Sequence, residues 1–371
     1  GVWLGSGLRL IFPPGSSNEY SNLGYAILGE VITRRSGQDY REFVRERIID
    51  PLGLHDTRYE ADELGSVAPG YHREPALPGQ KGGWTPQAPT GPGTFSPIGG
   101  LYSSVRDLAT WAGLYLTRDV PTGVSFTAAD LLEAQQPLNH LNTGPAEPPL
   151  RGYMARGYGY GLVIETFTDH GTVVSHSGGY PGFTTYMCWH KESGYTVISS
   201  SNGTHSGSAG PARRMLLPLV AAATSKPSLL GEPVDPVAGD GAARLSATID
   251  TWPETLAAAA RIEGMVREAP TTSADELAVR YADLFAENVE MDFPLARRVE
   301  YLKQALVNLG RLLPAKEGRV PTSERASRAR WSVPAEFGRL ELYIELTPVA
   351  PFQVQTFSVD AINGWSKVEL F

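Results

Sequence analysis

The chain has 371 residues and a formal net charge of −8, with 42% apolar and 19% charged residues. That profile belongs to a globular protein with room for two domains, and its acidic balance excludes the basic face of a nucleic-acid binder. No apolar run approaches the ~20 residues of a membrane span, and the single cysteine, Cys188, excludes an internal disulfide framework.

The opening residues, Gly1 to Gly7, have neither the basic start nor the apolar stretch of a signal peptide, and there is no initiator methionine. A processed, truncated or engineered chain is expected, and the compartment stays open. Leu23, Ile27, Leu28, Val31 and Ile32 recur at helical spacing before Gly37, which predicts a first helix. Tyr40, Phe43, Val44 and Ile48 mark a second, ended by Pro51. The stretch Pro78 to Pro97, dense in Gly and Pro, predicts a long loop. Ser104 and Asp107 fit a capping box opening a helix that buries Val105, Leu108, Ala112 and Tyr115, and Thr127 with Asp130 repeats the device. Leu141 to Arg151 predicts a second loop. Thr172–His176, Thr184–His190 and Tyr195–Ser200 then predict strands, antiparallel because short turns join them. Gly210 to Thr224 predicts a closing helix around Pro218.

Residues 225–243 are rich in Pro, Gly and Asp and predict a linker. The expected domains are therefore 1–224 and 244–371. In the second, helical patterns (Leu245–Val266, Ser273–Glu287, Ala296–Leu312) precede strand patterns (Arg328–Val333, Arg339–Leu346, Phe352–Asn363). Helices segregated from strands predict a small α+β domain, with a cystatin-like or NTF2-like pattern. All seven histidines lie at or before His205, so the second domain lacks the usual neutral-pH proton carrier.

Three stretches carry chemistry. Phe12-Pro13-Pro14-Gly15 leads to Tyr20-Ser21-Asn22 and Gly24-Tyr25; Gly99-Gly100-Leu101-Tyr102-Ser103-Ser104 leads to Asp107-Leu108; His176-Ser177-Gly178-Gly179 leads to Pro181-Gly182-Phe183. Ser21 and Asn22 also suit a helix cap. In this order the set resembles the penicillin-recognising serine hydrolases: class C β-lactamases, D,D-peptidases and related esterases. The resemblance covers roughly Leu10 to Ala223. It implies an α/β (α+β) fold in which a β-lactamase-like antiparallel sheet is flanked by helices.

The family works through three boxes: Ser-x-x-Lys, a Tyr-x-Asn type box, and a Lys-Thr-Gly type box. Tyr20-Ser21-Asn22 matches the second, and His176-Ser177-Gly178 the third in a His-headed form. No lysine of this chain has a serine three positions before it. In the family that box lies upstream, on a buried helix beside the first strands of the sheet. A companion N-terminal fragment carrying Ser-x-x-Lys is therefore the expected partner.

The resemblance implies roles. Tyr20 would shuttle a proton between nucleophile and leaving group, which needs nearby positive charge because a free phenol titrates near ~10. His176 would face the leaving group or a substrate carboxylate, and the Gly179 N–H would supply half of an oxyanion hole. Asn22 would hold the acyl side chain, with Ser177, Gly178, Tyr180 and Phe183 as further substrate-binding residues. Cys188 is expected to be an inert buried thiol.

Paired-cysteine and His-Glu-x-x-His zinc motifs, the phosphate-cradling P-loop and the Gly-x-Ser-x-Gly elbow do not occur, so neither a metal nor a cofactor is expected. The expected activity is a serine hydrolase or acyltransferase acting through an acyl-serine on D-amino-acid peptides, amides or esters. The His-headed box leans toward peptidase or esterase over β-lactamase. The rival is a non-catalytic binding protein, a pseudoenzyme with the same cleft. An oligomer is compatible with either.

Overall fold

The computed structural model describes residues 11–12, 18–74, 83–91, 93–204, 206–224, 251–314, 325–363 and 366–369. The expected linker at 225–243 lies outside them. Two compact units emerge, one holding Gly15–Ala76 with Lys81–Asp235, the other Gly1–Pro14, Leu77–Gln80 and Pro236–Phe371.

In the first unit, α1 (Asn22–Ser36) starts at Ser21, whose hydroxyl accepts from the Gly24 N–H at 3.0 Å, and stops at Gly37 in the left-handed region (φ 71°). Only Gly29 is buried on it; Leu28 and Val31 are exposed. Helix α2 (Tyr40–Val44) continues into a π turn, Arg45–Ile49, just ahead of Pro51.

Strands β1 (Gly70–Glu74) and β2 (Gly83–Gln87) form a small antiparallel ribbon. The predicted loop at Pro78–Pro97 is thus broken by a strand and by a 3₁₀ turn at Gly93–Ile98. Gly-Trp-Thr-Pro-Gln carries little strand signal, and Pro86 is tolerated because β2 is an edge.

Helix α3 (Val105–Thr117) begins at Ser104, which accepts from the Asp107 N–H. Only half of the predicted box forms, because the Asp107 carboxylate turns instead to the Thr57 hydroxyl (2.7 Å) and the Asp56 N–H (2.9 Å). That pull corrects the expected core face: with Asp107 drawn inward, Val105, about 200° away around the helix, faces out and is exposed. Helix α4 (Ala128–Ala134) has the full Thr127–Asp130 box.

A six-stranded antiparallel meander follows: β3 (Asn139–Pro145), β4 (Tyr153–Tyr158), β5 (Val163–Phe167), β6 (Gly171–Tyr180), β7 (Phe183–His190) and β8 (Thr196–Ser201), neighbours in chain order. The predicted loop Leu141–Arg151 therefore begins as an edge strand. Its side chains are exposed or half-exposed on both faces, so no alternation marks it in the sequence. Helix α5 (Ala209–Thr224) covers one face, burying Leu216, Leu217 and Val220 with Phe167, Val173 and Cys188. On the other face Ala112 of α3 and Ala134 of α4 pack with Ile164, Val174 and Trp189, whose indole N–H donates to Gln135. Burial pushes the Cys188 thiol up to about 12, as an inert residue requires.

The second unit has α6 (Pro253–Glu268), α7 (Ala274–Tyr281), a short α8 (Glu287–Asp292) and α9 (Leu295–Leu309), then β9 (Arg328–Ala335), β10 (Gly338–Leu346), β11 (Val354–Asn363) and β12 (Ser366–Glu369) in the order β12-β11-β10-β9. β10 alternates strictly, burying Leu340, Leu342, Ile344 and Leu346 against Ile262, Met265 and Leu302. No helix of the described residues is long and apolar enough to cross a membrane.

Candidate active site

A cavity of about 880 Å³ opens in the first unit between α1, the Gly99–Ser103 loop and the ends of β6 and β7. Its lining includes Tyr20, Asn22, His176, Ser177, Gly178, Gly179, Tyr180 and Phe183. Every residue singled out from the two boxes thus meets at one place, although 150 or more positions separate Tyr20 from His176. The size suits a small-molecule site.

Each wall has a local cause. Ser21 caps α1, so Tyr20 projects from the residue before the cap and Asn22 from the first turn. Helix α1 is seated on the 3₁₀ turn that precedes Gly99-Gly100: a Cβ on Gly29 would lie 2.1 Å from Cγ of Pro97. Pro181-Gly182 closes the β6–β7 hairpin with Gly182 at φ 89°, the position that a Pro-Gly type II turn gives to glycine. Gly182 also touches Gly70, so a Cβ there meets the Gly70 Cα at 2.9 Å. Tyr180 donates its hydroxyl to the Gly91 carbonyl at 3.2 Å. By contrast, a Cβ on Gly179 would meet nothing within 4 Å, so this backbone is open to an incoming group.

Three rings form the polar corner. Tyr20 and His176 have centroids 6.2 Å apart at 32°, and Tyr158 stands edge-on to Tyr20 at 6.5 Å. The Tyr158 hydroxyl lies 3.3 Å from Nε2 of His176. Burial lowers the His176 pKa from its ordinary value, a backbone hydrogen bond with Ser177 opposing it, so the imidazole is neutral at neutral pH. Burial raises Tyr158, helped by Tyr25 and Tyr20, and keeps it a phenol. Tyr25 is also raised by burial and by Tyr20, against a hydrogen bond from the Gly161 backbone.

The lining also has an apolar part: Val44, Ile48, Leu54 and Trp111. Below it Asp107 holds Thr57, whose hydroxyl lies 2.9 Å from that of Ser103 and so ties the loop to the start of α3. Sequence reasoning missed Tyr158, this apolar wall and the Asp107–Thr57–Ser103 tie. Tyr158 had one signal, the Tyr158-Gly159-Tyr160-Gly161 run, but its meaning depends on a β4–β5 hairpin that was not predicted. No lysine or arginine is among the lining residues, and no group of His, Cys, Asp and Glu able to hold a metal occurs among the described residues.

The Beta-lactamase family model matches residues 5–222. Beta-lactamase-like protein 2 of Dictyostelium discoideum is 29% identical over 185 residues, 49% of this chain and 30% of its own length. Penicillin-binding protein 4* of Bacillus subtilis (strain 168) is 27% identical over 208 residues, 54% of this chain and 43% of its own. The chain thus spans less than half the length of these two curated relatives. Among solved structures, the octameric penicillin-binding protein homologue from Pyrococcus abyssi is 19% identical, with a TM-score of 0.43 over 96% of this chain and 66% of that one. Matched over more than half of its length, this chain belongs to the beta-lactamase family, the penicillin-recognising serine hydrolases.

Proposed function

We propose that the first unit is the larger part of a serine hydrolase or acyltransferase that works through an acyl-serine on D-amino-acid peptides, amides or esters. The observation that carries this reading is the convergence of Tyr20, Asn22 and the His176–Gly179 strand end on one cavity. Tyr20 moves the proton, Asn22 and Tyr180 hold the acyl portion, and the Gly179 N–H receives developing negative charge on the substrate oxygen. One such donor is worth ~10²–10³ in rate.

A companion polypeptide segment supplies the seryl group and its lysine. Three features support it. Leu28 and Val31 leave the apolar side of α1 exposed. Part of the cavity lining, Val44, Ile48, Leu54 and Trp111, is apolar, as a surface that receives a buried helix requires. β8 packs against α3 on one face and α5 on the other, the setting of an interior strand, yet within its sheet it pairs only with β7 among the described residues.

The second reading, a binding protein without turnover, has one observation in its favour: no cation lines the cavity, and a phenol acting as base needs one. A lysine from the companion removes that objection. Labelling the native preparation with a fluorescent β-lactam and with a fluorophosphonate separates the readings. Label on a companion piece supports the hydrolase, and no label on any species supports the binding protein. Tyr20→Phe keeps the ring contacts to Tyr158 and His176 and loses only the hydroxyl, so turnover drops ~10²–10⁴-fold with the fold intact. Near-normal turnover in that variant refutes the role of Tyr20.

A further inference from the structure

Tyr158 belongs to neither the tyrosine box nor the His-headed box, yet it touches members of both. It ends β4, paired across from Val163. The turn after it is pinned from several sides. The Gly159 N–H donates to the Leu162 carbonyl at 2.9 Å, and the Tyr160 N–H to the Ala134 carbonyl at 3.1 Å. A Cβ on Gly159 would lie 2.2 Å from that Ala134 oxygen, so the turn lies directly against the end of α4 with no room for a side chain. Gly161, at φ 69°, brings its backbone against the Tyr25 hydroxyl of α1. The phenol is therefore aimed by fixed backbone, as a positioning group must be.

We propose, on the hydrolase reading above, that Tyr158 is a positioning residue whose hydroxyl donates to Nε2 of His176, so fixing the imidazole tautomer and, through the ring edges, the place of Tyr20. The ring proton then sits on Nδ1. Nε2 keeps its lone pair for the phenol 3.3 Å away. The titratable groups facing the pair are Tyr20, just before α1, and Tyr25 within it, both phenols. Burial favours the neutral form of both partners, Tyr158 upward and His176 downward, which is the state in which this hydrogen bond exists. The arrangement orients His176 in the way that a carboxylate or carbonyl orients histidine elsewhere.

The test is nitrogen-15 NMR of the full chain carrying labelled histidine, with Tyr158→Phe as the variant. In the unmodified protein His176 is expected as the Nδ1–H tautomer with an accepting Nε2. In Tyr158→Phe the tautomer preference is lost and the His176 midpoint rises by about half to one pH unit, since removing a donor to the neutral ring weakens that form. A protonated Nε2 in the unmodified neutral protein overturns the proposal even if the variant fails to fold. An unchanged midpoint and tautomer in a folded variant also overturn it. The spectra need no turnover, so a preparation that hydrolyses nothing counts against the hydrolase reading alone. Where turnover is present, Tyr158→Phe lowers kcat up to ~10²-fold with KM unchanged; a lower affinity with kcat intact overturns the positioning role.

Discussion

Gly29→Ala tests whether the seat of α1 sets the geometry of the cavity. The added methyl carbon would lie 2.1 Å from Cγ and 2.6 Å from Cβ of Pro97, whereas carbon atoms rest at about 3.5–4.0 Å. Pro97 is a ring fixed in a 3₁₀ turn and cannot rotate aside. Helix or turn must therefore move by more than an ångström. Overpacking of this kind costs about 1–3 kcal/mol, while alanine in a helix interior gains about 1 kcal/mol over glycine. The two terms overlap, so the variant alone decides little. Gly113 of α3 supplies the control: a Cβ there meets nothing within 4 Å, so Gly113→Ala should stabilise by about 0.5–1 kcal/mol. Urea unfolding of both variants gives the clash as their difference, expected at about 1–3 kcal/mol against Gly29→Ala. Because Asn22 opens the same helix and Tyr20 directly precedes its Ser21 cap, the ring contact between Tyr20 and His176 should also loosen, read as a changed chemical shift of the His176 ring. Equal stability effects with an unmoved His176 signal would refute the reasoning.

Glu165→Gln should destabilise the first unit by about 3 kcal/mol, measured by urea unfolding. Glu165 is buried and accepts from Arg156 Nη2 at 2.5 Å and Arg213 Nη1 at 2.6 Å, and when its charge is lost the half-buried Arg213 retains the more exposed Glu147 as its carboxylate partner. A loss below about 1 kcal/mol would contradict it. The histidines set a pH dependence. Burial holds His176 and His170 below their ordinary value, so between that lowered value and ~6.5 the unfolded chain binds more protons than the folded one. Stability should therefore fall as pH drops through about 6.5, with His176→Gln and His170→Gln flattening the slope. A profile unaffected by both changes would refute the assignment.

Much of the fold was legible because local chemistry decides it. Ser21, Thr127 and Gly37 set helix ends through bonds to their own neighbours, and the alternation in Leu340–Leu346 comes from one buried face. The segments that failed to show lack such a local cause. β2 and β3 are edges whose side chains meet water on both sides, so nothing in their order marks a strand. Val105 is expected inward when Asp107 is read as a cap for its own helix, whereas Asp107, held by Thr57 fifty residues earlier, sets which face turns in.

The candidate site divides in the same way. By itself the sequence determined the residue types and their order: a phenol before a capped helix, and an imidazole leading into two glycines at the end of a strand. Only the tertiary structure decided that these groups share a cavity, that Tyr158 braces them, and that apolar residues but no lysine or arginine join them in its lining. Contacts between positions more than a hundred residues apart follow from how α1 seats on Pro97 and how β4 to β6 register, and no short-range pattern encodes either.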